Sequence, residues 1–347
     1  MNLYILCTLF TLGVAAESLR VPHPSGPYSV AYQVQDLTDT SRLDPSAPKG
    51  SNALRRILFS VFLPVDTNHM ECSPEVLPYL PAETARYYSQ LAPSMGLPED
   101  MLGSFEVEFC NLSIDHPYDA DIVEFPDGTV IRGDSEGGTE TFWVEDIKVR
   151  TGDISFIINQ LKNGTMMSNI IENFPHKINL ANITVFGHSL GGAAAATFIL
   201  ENAHVAKGGL DFDGEIWGSV VNDELDAPFV TVSSAVNNGS IGLENWNPFW
   251  EHLRDTKLHL SIANTAHLSY LDIPILLSVY TLPEKFKVTE ESVFGKIDGK
   301  VMAQTVNGIL TAYFELLFGG CAPPLCSLGE QFVEISIERA SLVGASC

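Results

Sequence analysis

The fold is decided by the stretch Ile183-Thr184-Val185-Phe186-Gly187-His188-Ser189-Leu190-Gly191-Gly192 and by the run Ala193–Leu200 that follows it. Ile183–Phe186 is apolar and strand-like, whereas the small residues of Ala193–Leu200 are typical of a helix. The G-x-S-x-G between them allows a tight turn, because glycine has no Cβ to clash where strand and helix meet. This order predicts a nucleophile elbow with Ser189 at its tip. The N–H of Leu190, at the start of the helix, is expected to face a developing oxyanion.

The whole chain is long and strongly acidic. Its 347 residues, 45% of them hydrophobic, suffice for one large α/β domain or two small ones. The net charge of −24 argues against nucleic acid as a partner and against electrostatic docking on anionic membranes, since both need lysine and arginine. A transient contact with a lipid surface through an apolar patch is compatible with this charge.

Residues 1–16 have the features of a secretory signal peptide. The apolar stretch Leu3–Val14 is too short to cross a bilayer, and Val14 and Ala16 suit cleavage between small residues. The alternative is a buried N-terminal strand. We therefore expect a secreted, extracellular protein in which residues 17–347 form a single domain.

Sequons and cysteines agree with secretion. The sequence has N-glycosylation sequons at Asn111, Asn163, Asn182 and Asn238. The cysteines that follow the signal peptide are Cys72, Cys110, Cys321, Cys326 and Cys347. In an oxidising compartment, Cys321–Cys326 and Cys72–Cys110 are candidate bridges, although sequence does not fix the connectivity. No cysteine or histidine spacing resembles a zinc site, so we expect neither a metal nor a cofactor.

Strand-like and helix-like segments alternate along the chain. We predict strands at Arg55–Pro64, Phe229–Ser233 and Leu258–Ala263, and helices at Pro81–Leu91, Val144–Asn163, Trp246–Arg254 and Val306–Leu317. Val21–Ser46 is predicted as an extended lead-in, and Asp119–Gly138 as a polar loop. This alternation predicts a mostly parallel central sheet with helices on both faces.

A serine nucleophile needs a general base, and the base needs an acid that orients it. In folds with this elbow, the acid and then the histidine follow the serine along the chain. The acid candidates are Asp211, Asp213, Asp223 and Asp226, and the base candidates are His252, His259 and His267. Asp211 and Asp213 are two residues apart at a strand end, so spacing leaves both open. His267 is favoured because it lies just past a strand end, where a loop can bring it to the serine.

Several sequence blocks run through most of the chain and carry a more specific signal. They are Pro27-Tyr28 with Arg42–Pro45, Ile114–Ala120, Glu124–Gly128, Gly187–Gly192, Leu210–Gly214 and Ala266-His267. Together they resemble the plasma-type (isoform II) platelet-activating factor acetylhydrolase family, and most of all its secreted fungal members. The resemblance implies an α/β-hydrolase fold with Ser189, Asp213 and His267 as the triad.

The resemblance also implies a function, that of a secreted serine esterase which needs no calcium. Its substrates would be phospholipids with short or oxidised sn-2 acyl chains, as for a 1-alkyl-2-acetylglycerophosphocholine esterase. His267 would take the proton of Ser189, an acyl-enzyme would form, and Asp213 would hold the imidazole tautomer. We expect a phospholipid or small ester as substrate, and no obligate protein partner.

One segment departs from the family's pattern. The second oxyanion donor normally comes from a loop that follows a strand upstream of the elbow. In Phe105–Ile114 there is no glycine loop and no long apolar strand. One strand-helix unit is therefore predicted to be lacking before Ile114. Together with its next strand, such a unit takes about 30 residues. An incomplete sequence at this junction and a naturally shortened protein both explain the gap.

Two other functions compete with the acetylhydrolase interpretation. The first is a broader carboxylesterase or polyester hydrolase on the same fold. The second is a catalytically impaired, non-enzymatic relative, which the lacking oxyanion segment favours.

Overall fold

The computed structural model describes residues 19–23, 26, 28–65, 76–108, 114–115, 121–133, 139–164, 178–235, 243–320 and 322–343. The strands are β1 (Leu19–Arg20), β2 (Ser29–Leu43), β3 (Leu54–Val65), β4 (Val76–Pro78), β5 (Phe105–Glu108), β6 (Ile114–Asp115), β7 (Ile122–Glu124), β8 (Val130–Arg132), β9 (Ile183–His188), β10 (Ala206–Phe212), β11 (Phe229–Ser234), β12 (Lys257–Ile262) and β13 (Ile335–Ser341). The helices are α1 (Ala82–Leu91), α2 (Glu140–Lys162), α3 (Leu190–Glu201), α4 (Leu243–His252), α5 (Ile273–Leu277), α6 (Glu284–Phe294), α7 (Gly299–Gly319), α8 (Pro323–Cys326) and α9 (Leu328–Gln331). Short 3-10 helices lie at Ala92–Met95, Leu102–Ser104, Ser219–Val221 and His267–Tyr270.

A five-stranded sheet leads into the elbow. Its order is β13-β12-β11-β10-β9, in which β9 to β12 are parallel and β13 is antiparallel. Val185 and Phe229 pack with α3 and α4 on one face, whereas Leu210 and Val230 pack with α7 on the other. The predicted parallel sheet with helices on both faces is therefore confirmed.

A second sheet, with the order β2-β3-β6, is separate from the first. Among the described residues, β9 pairs with β10 alone, and no ladder connects β9 to β6. No described strand covers the outer edge of β9. Phe186 of this strand is 45% exposed. In the chain, this separation falls after the place where the sequence predicts that a strand-helix unit is lacking.

Helix α2 packs against the second sheet and against the elbow helix α3. Its Ile157 contacts Ile57 and Phe59 of β3, while Ile147 and Ile158 belong to the cluster that contains α3. The apolar contacts of α2 therefore reach the second sheet on one side and the elbow helix on the other.

A buried ion-pair network reinforces this connection. Arg55 of β3 is fully buried and contacts Asp153 of α2 at 2.6 Å and Asp44 at 3.0 Å. Arg42 adds a 2.9 Å contact to Asp153. A buried guanidinium is tolerated because carboxylates replace the water that it loses.

The part of the loop predicted at Asp119–Gly138 that the structure describes forms a hairpin, so that prediction is wrong there. Strand β7 pairs antiparallel with β8, and the turn between them includes Gly128 with φ +82°. Val123 and Phe125 are buried against Leu58 of β3. Burial of these apolar side chains explains why a polar, glycine-punctuated segment becomes ordered strand.

The lead-in predicted at Val21–Ser46 also contains regular structure, the 15-residue strand β2. The other predicted strands and helices form, with ends shifted by a few residues: the last helix, predicted from Val306, begins at Gly299. A local pattern does not register where hydrogen bonding to a neighbouring segment starts, so element ends are set by tertiary contacts.

A third apolar cluster joins distant parts of the chain. Leu97, and Phe105 of β5 in the small sheet β1-β5-β4, pack with Leu276 and Phe294. The segment that contains β4, α1 and β5 therefore lies beside the residues that follow His267.

One helical stretch, Glu284–Gly319, is long and apolar enough to cross a membrane by length and composition. Its second part, α7, buries Met302, Ile309 and Tyr313 in the cluster of the five-stranded sheet. Packing on that sheet accounts for the apolar composition of α7.

Several predicted features lie outside the described residues. They are the signal peptide at 1–16, the sequons at Asn111 and Asn238, and the cysteines Cys72, Cys110, Cys321 and Cys347. Cys326, in α8, is disulfide-bonded. Asn163 and Asn182 are exposed, the first after α2 and the second before β9.

Candidate active site

Ser189 occupies the turn between β9 and α3. Its φ of 56° and ψ of −128° are a strained conformation for a residue with a side chain. Its N–H donates to the carbonyl of Phe212 at 2.9 Å, and its own carbonyl accepts from the N–H of Gly192 at 2.9 Å. Strand, strained serine and helix therefore follow one another as the G-x-S-x-G pattern predicts.

Glycines let three backbone segments meet at this turn. A Cβ on Gly187 would lie 2.5 Å from the carbonyl carbon of Gly191, and one on Gly214 would lie 2.1 Å from the oxygen of Ser189. Both distances are shorter than any side chain tolerates. The approach of β9, α3 and the end of β10 therefore depends on glycine.

The side chains of Ser189, His267 and Asp213 form one hydrogen-bonded series. Nε2 of His267 lies 3.1 Å from Oγ of Ser189, and Nδ1 of His267 lies 2.8 Å from Oδ2 of Asp213. An ionised carboxylate only accepts, so the proton of the neutral imidazole is on Nδ1 and Nε2 is free to accept from the serine hydroxyl. Asp213 is 6% exposed, and its Oδ1 accepts the N–H of Ser234 at 2.6 Å.

The structure separates the two aspartates that spacing left open. Asp213 follows the last residue of β10, and its φ of 55° turns its carboxylate towards His267. Asp211 stays inside β10, where Oδ1 accepts the N–H of Gly214 at 3.0 Å and Oδ2 has no partner among the described residues. Burial raises the pKa of Asp211 well above its ordinary value, which favours the neutral carboxyl.

The remaining acid and base candidates lie elsewhere. Asp223 and Asp226 are exposed in the segment before β11. His252 ends α4, and its Nδ1 bonds the carbonyl of Pro248 at 2.7 Å. His259 is buried in β12, with Nε2 3.3 Å from Oγ of Ser233.

The loop that contains His267 is fastened by hydroxyl groups. Oγ1 of Thr265 donates to the carbonyl of Ile262 at 2.5 Å and accepts the N–H of Ala235 at 3.2 Å. Oγ of Ser269 accepts the N–H of Ala266 at 2.8 Å. These bonds hold the backbone on both sides of His267, whose side chain is 41% exposed.

Two neighbours of the triad make contacts that no spacing in the sequence predicts, although the place of His188 in the elbow marks it as a structural neighbour of the site. Nε1 of Trp246 donates to the carbonyl of Gly214 at 2.6 Å, beside Asp213. Nε2 of His188 lies 2.8 Å from the carbonyl oxygen of His267. The position of His188 immediately before the serine was a usable signal, whereas nothing local to Trp246 points to the acid loop.

The N–H that the sequence predicts as an oxyanion donor lies at the start of α3. Leu190 is the first residue of α3, and the N–H groups of a first helical turn have no partner within the helix. The sequence predicts a second donor upstream of the elbow. The short segment at 109–113 where it would begin lies outside the described residues.

Across the ranges that the structure describes, no group of three or more histidine, cysteine, aspartate or glutamate side chains could hold a metal ion. The geometry of the triad itself supports proton transfer from Ser189 to His267 and attack by the serine oxygen.

Known proteins that resemble this chain in sequence or in structure include esterases. No protein-family model matches the chain. The chain is 24% identical over 339 residues to a probable 1-alkyl-2-acetylglycerophosphocholine esterase from Arthroderma benhamiae, an alignment that covers 79% of this chain and 82% of that relative.

Among solved structures, the chain resembles a ferulic acid esterase from Streptomyces cinnamoneus. The TM-score is 0.71 at 19% sequence identity, with 93% of this chain and 100% of the esterase chain covered. The fold is therefore an α/β-hydrolase fold, as the sequence predicted.

Proposed function

We propose that this chain is a serine esterase in which Ser189 is the nucleophile, His267 the general base and Asp213 the orienting acid. The hydrogen-bonded series of these three side chains, at an elbow with a strained serine, carries the proposal. The name of the relative from Arthroderma benhamiae supports the same class of reaction.

The reaction is a two-step acyl transfer. His267 Nε2 takes the hydroxyl proton as Ser189 Oγ bonds to the ester carbonyl carbon, and the N–H of Leu190 donates to the resulting oxyanion. The carbon–oxygen bond to the leaving alcohol breaks as His267 returns the proton to that alcohol. Water then attacks the acyl-enzyme by the same route and releases the acid. Throughout both steps, Asp213 holds the proton on Nδ1 of His267, so that Nε2 is the nitrogen that takes and returns the transferred proton.

We further propose that the substrates are phospholipids with short or oxidised sn-2 acyl chains, and that the protein acts outside the cell. The sequence blocks that resemble the platelet-activating factor acetylhydrolases support the substrate class, as does the name of the curated relative. The disulfide at Cys326 supports an oxidising compartment.

Labelling with a fluorophosphonate probe, followed by peptide mass spectrometry, tests the mechanism. We expect an adduct on Ser189 that is absent in Ser189→Ala and strongly reduced in His267→Ala. His204→Ala, which changes an exposed histidine, serves as the matched control and should label as wild type does. A folded wild-type protein that does not label would refute the proposal.

Hydrolysis of phosphatidylcholines that carry sn-2 chains of increasing length tests the substrate class. Preference for acetyl over longer chains supports the acetylhydrolase assignment. Equal rates on long-chain esters or polyesters would assign a broader esterase instead.

Among the described residues, no strand pairs with the outer edge of β9. This favours the non-enzymatic alternative, because the strand next to the elbow normally leads to the second oxyanion donor. We expect the messenger RNA to encode an in-frame insert between the codons for Phe109 and Ile114, which a full-length transcript would reveal. An uninterrupted join would instead establish a shortened protein, for which weak or no hydrolysis is expected.

A further inference from the structure

His188 is the last residue of β9 and lies directly against His267. The two ring centroids are 4.6 Å apart. The ring of His188 also stacks on the ring of Tyr270, with the centroids 5.6 Å apart. Nε2 of His188 is 2.8 Å from the backbone carbonyl oxygen of His267. The strand that leads into Ser189 is therefore hydrogen-bonded to the backbone of His267.

The proton on this hydrogen bond can be assigned from chemistry. A carbonyl oxygen only accepts, so Nε2 of His188 must be the donor. The pKa of His188 is lowered to about 4, first by burial and then by the nearby charge of His267. At neutral pH, His188 is thus a neutral ring with its proton on Nε2, and it adds no positive charge beside the imidazolium that forms during catalysis.

We propose that His188 is a positioning residue, which holds the backbone of His267 so that its imidazole reaches Ser189 and Asp213 at once. This inference rests on the proposed function, since it gives His188 a role in the same site. The 3-10 helix that begins at His267 is short, and the bond from His188 links it to the elbow itself rather than to another loop.

Two substitutions of equal length test the role of the donor. In glutamine the amide nitrogen is as many bonds from Cβ as Nε2 is in histidine, whereas methionine has the same length without a donor. We expect His188→Met to react with the fluorophosphonate about tenfold more slowly than His188→Gln, the effect of losing one hydrogen bond. His188→Gln should stay within about threefold of wild type, because it restores the bond. Equal rates for the two variants would overturn the proposal.

A spectroscopic measurement on the wild-type protein does not depend on activity or on the methionine variant being folded. Nitrogen-15 NMR of labelled histidine, with the His188 signals identified by their loss in His188→Gln, reports which ring nitrogen carries the proton. The proposal requires the neutral Nε2–H form at pH 7. Finding the Nδ1–H form or the doubly protonated ring would overturn it. If the wild-type protein failed to label, the esterase function would fail while this measurement still decided the contact.

Discussion

At the scale of single residues, Asp211 and Asp213 lie two positions apart but differ in their surroundings. Asp213 accepts hydrogen bonds from His267 and from the N–H of Ser234. Asp211 is enclosed under the elbow, with Gly192 and Gly214 packed against its carboxyl group. Asp213 is therefore placed to orient a histidine, whereas Asp211 is placed as a neutral, packed side chain.

A pair of asparagine substitutions separates these roles. We expect Asp213→Asn to lower kcat by about 10³–10⁴-fold, because the amide can stabilise the wrong imidazole tautomer. Asp211→Asn should keep kcat within about threefold of the wild-type value, since an amide resembles a protonated carboxyl in shape and can still accept a hydrogen bond from the N–H of Gly214. Steady-state hydrolysis of a short-chain ester measures both. Equal losses in the two variants would contradict this assignment.

At the scale of elements, the elbow depends on how closely β9 approaches α3. Gly187 has no room for a Cβ, since the backbone of Gly191 fills that space, whereas the Cβ position of Gly191 is open. Backbone atoms cannot rotate away as a flexible side chain can. The two glycines of G-x-S-x-G that flank the serine therefore differ in what they tolerate.

We expect Gly187→Ala to lower the free energy of unfolding by about 3 kcal/mol through overpacking. Gly191→Ala should leave it unchanged or raise it by up to about 1 kcal/mol, because alanine favours a helix over glycine. Urea unfolding followed by circular dichroism measures both. A Gly187→Ala protein as stable as Gly191→Ala would show that the elbow relaxes more easily than its packing indicates.

The attachment of α2 to β3 is a second feature at this scale. We expect Asp153→Asn to lower the free energy of unfolding by about 3–5 kcal/mol, because it removes a charge that compensates the fully buried Arg55. Glu145→Gln, in an exposed pair with Lys148 on the same helix, is the control and should leave the unfolding free energy within error. A similar small effect in both variants would indicate that water reaches Arg55.

At the scale of the whole molecule, buried histidines make the fold sensitive to acid. Burial, and then the charge of Arg339, lower the pKa of His259 to about 4. A histidine whose pKa is lowered by folding binds fewer protons in the folded state than in the unfolded state between about pH 6.5 and 4. Stability is therefore complete above about pH 6.5 and falls as the pH drops towards 4.

For His259 this loss amounts to about 2 kcal/mol at pH 5. We expect His259→Gln to lose correspondingly less stability than wild type between pH 7.5 and pH 5, as measured by urea unfolding at both values. His204→Gln, at an exposed position, should follow the wild-type pH dependence. A His259→Gln protein as acid-sensitive as wild type would place the acid sensitivity in other groups.

The sequence by itself determined the elbow, the alternation of strands and helices, and the α/β-hydrolase fold. These follow from local causes, because apolar periodicity and glycine at Gly187 act within a few residues along the chain. The order of serine, acid and histidine was predictable for the same reason, since the topology of the fold fixes it.

Residue spacing left Asp211 and Asp213 open, and in the sequence only the family resemblance pointed to Asp213. The tertiary structure shows how Asp213 meets His267, through its positive φ where β10 ends. It also decided the contact of His188 with His267, which joins residues 79 positions apart. It likewise shows that, within the described residues, β6 and β9 belong to separate sheets. Contacts across the fold depend on how segments pack in space, and a local pattern carries no record of that packing.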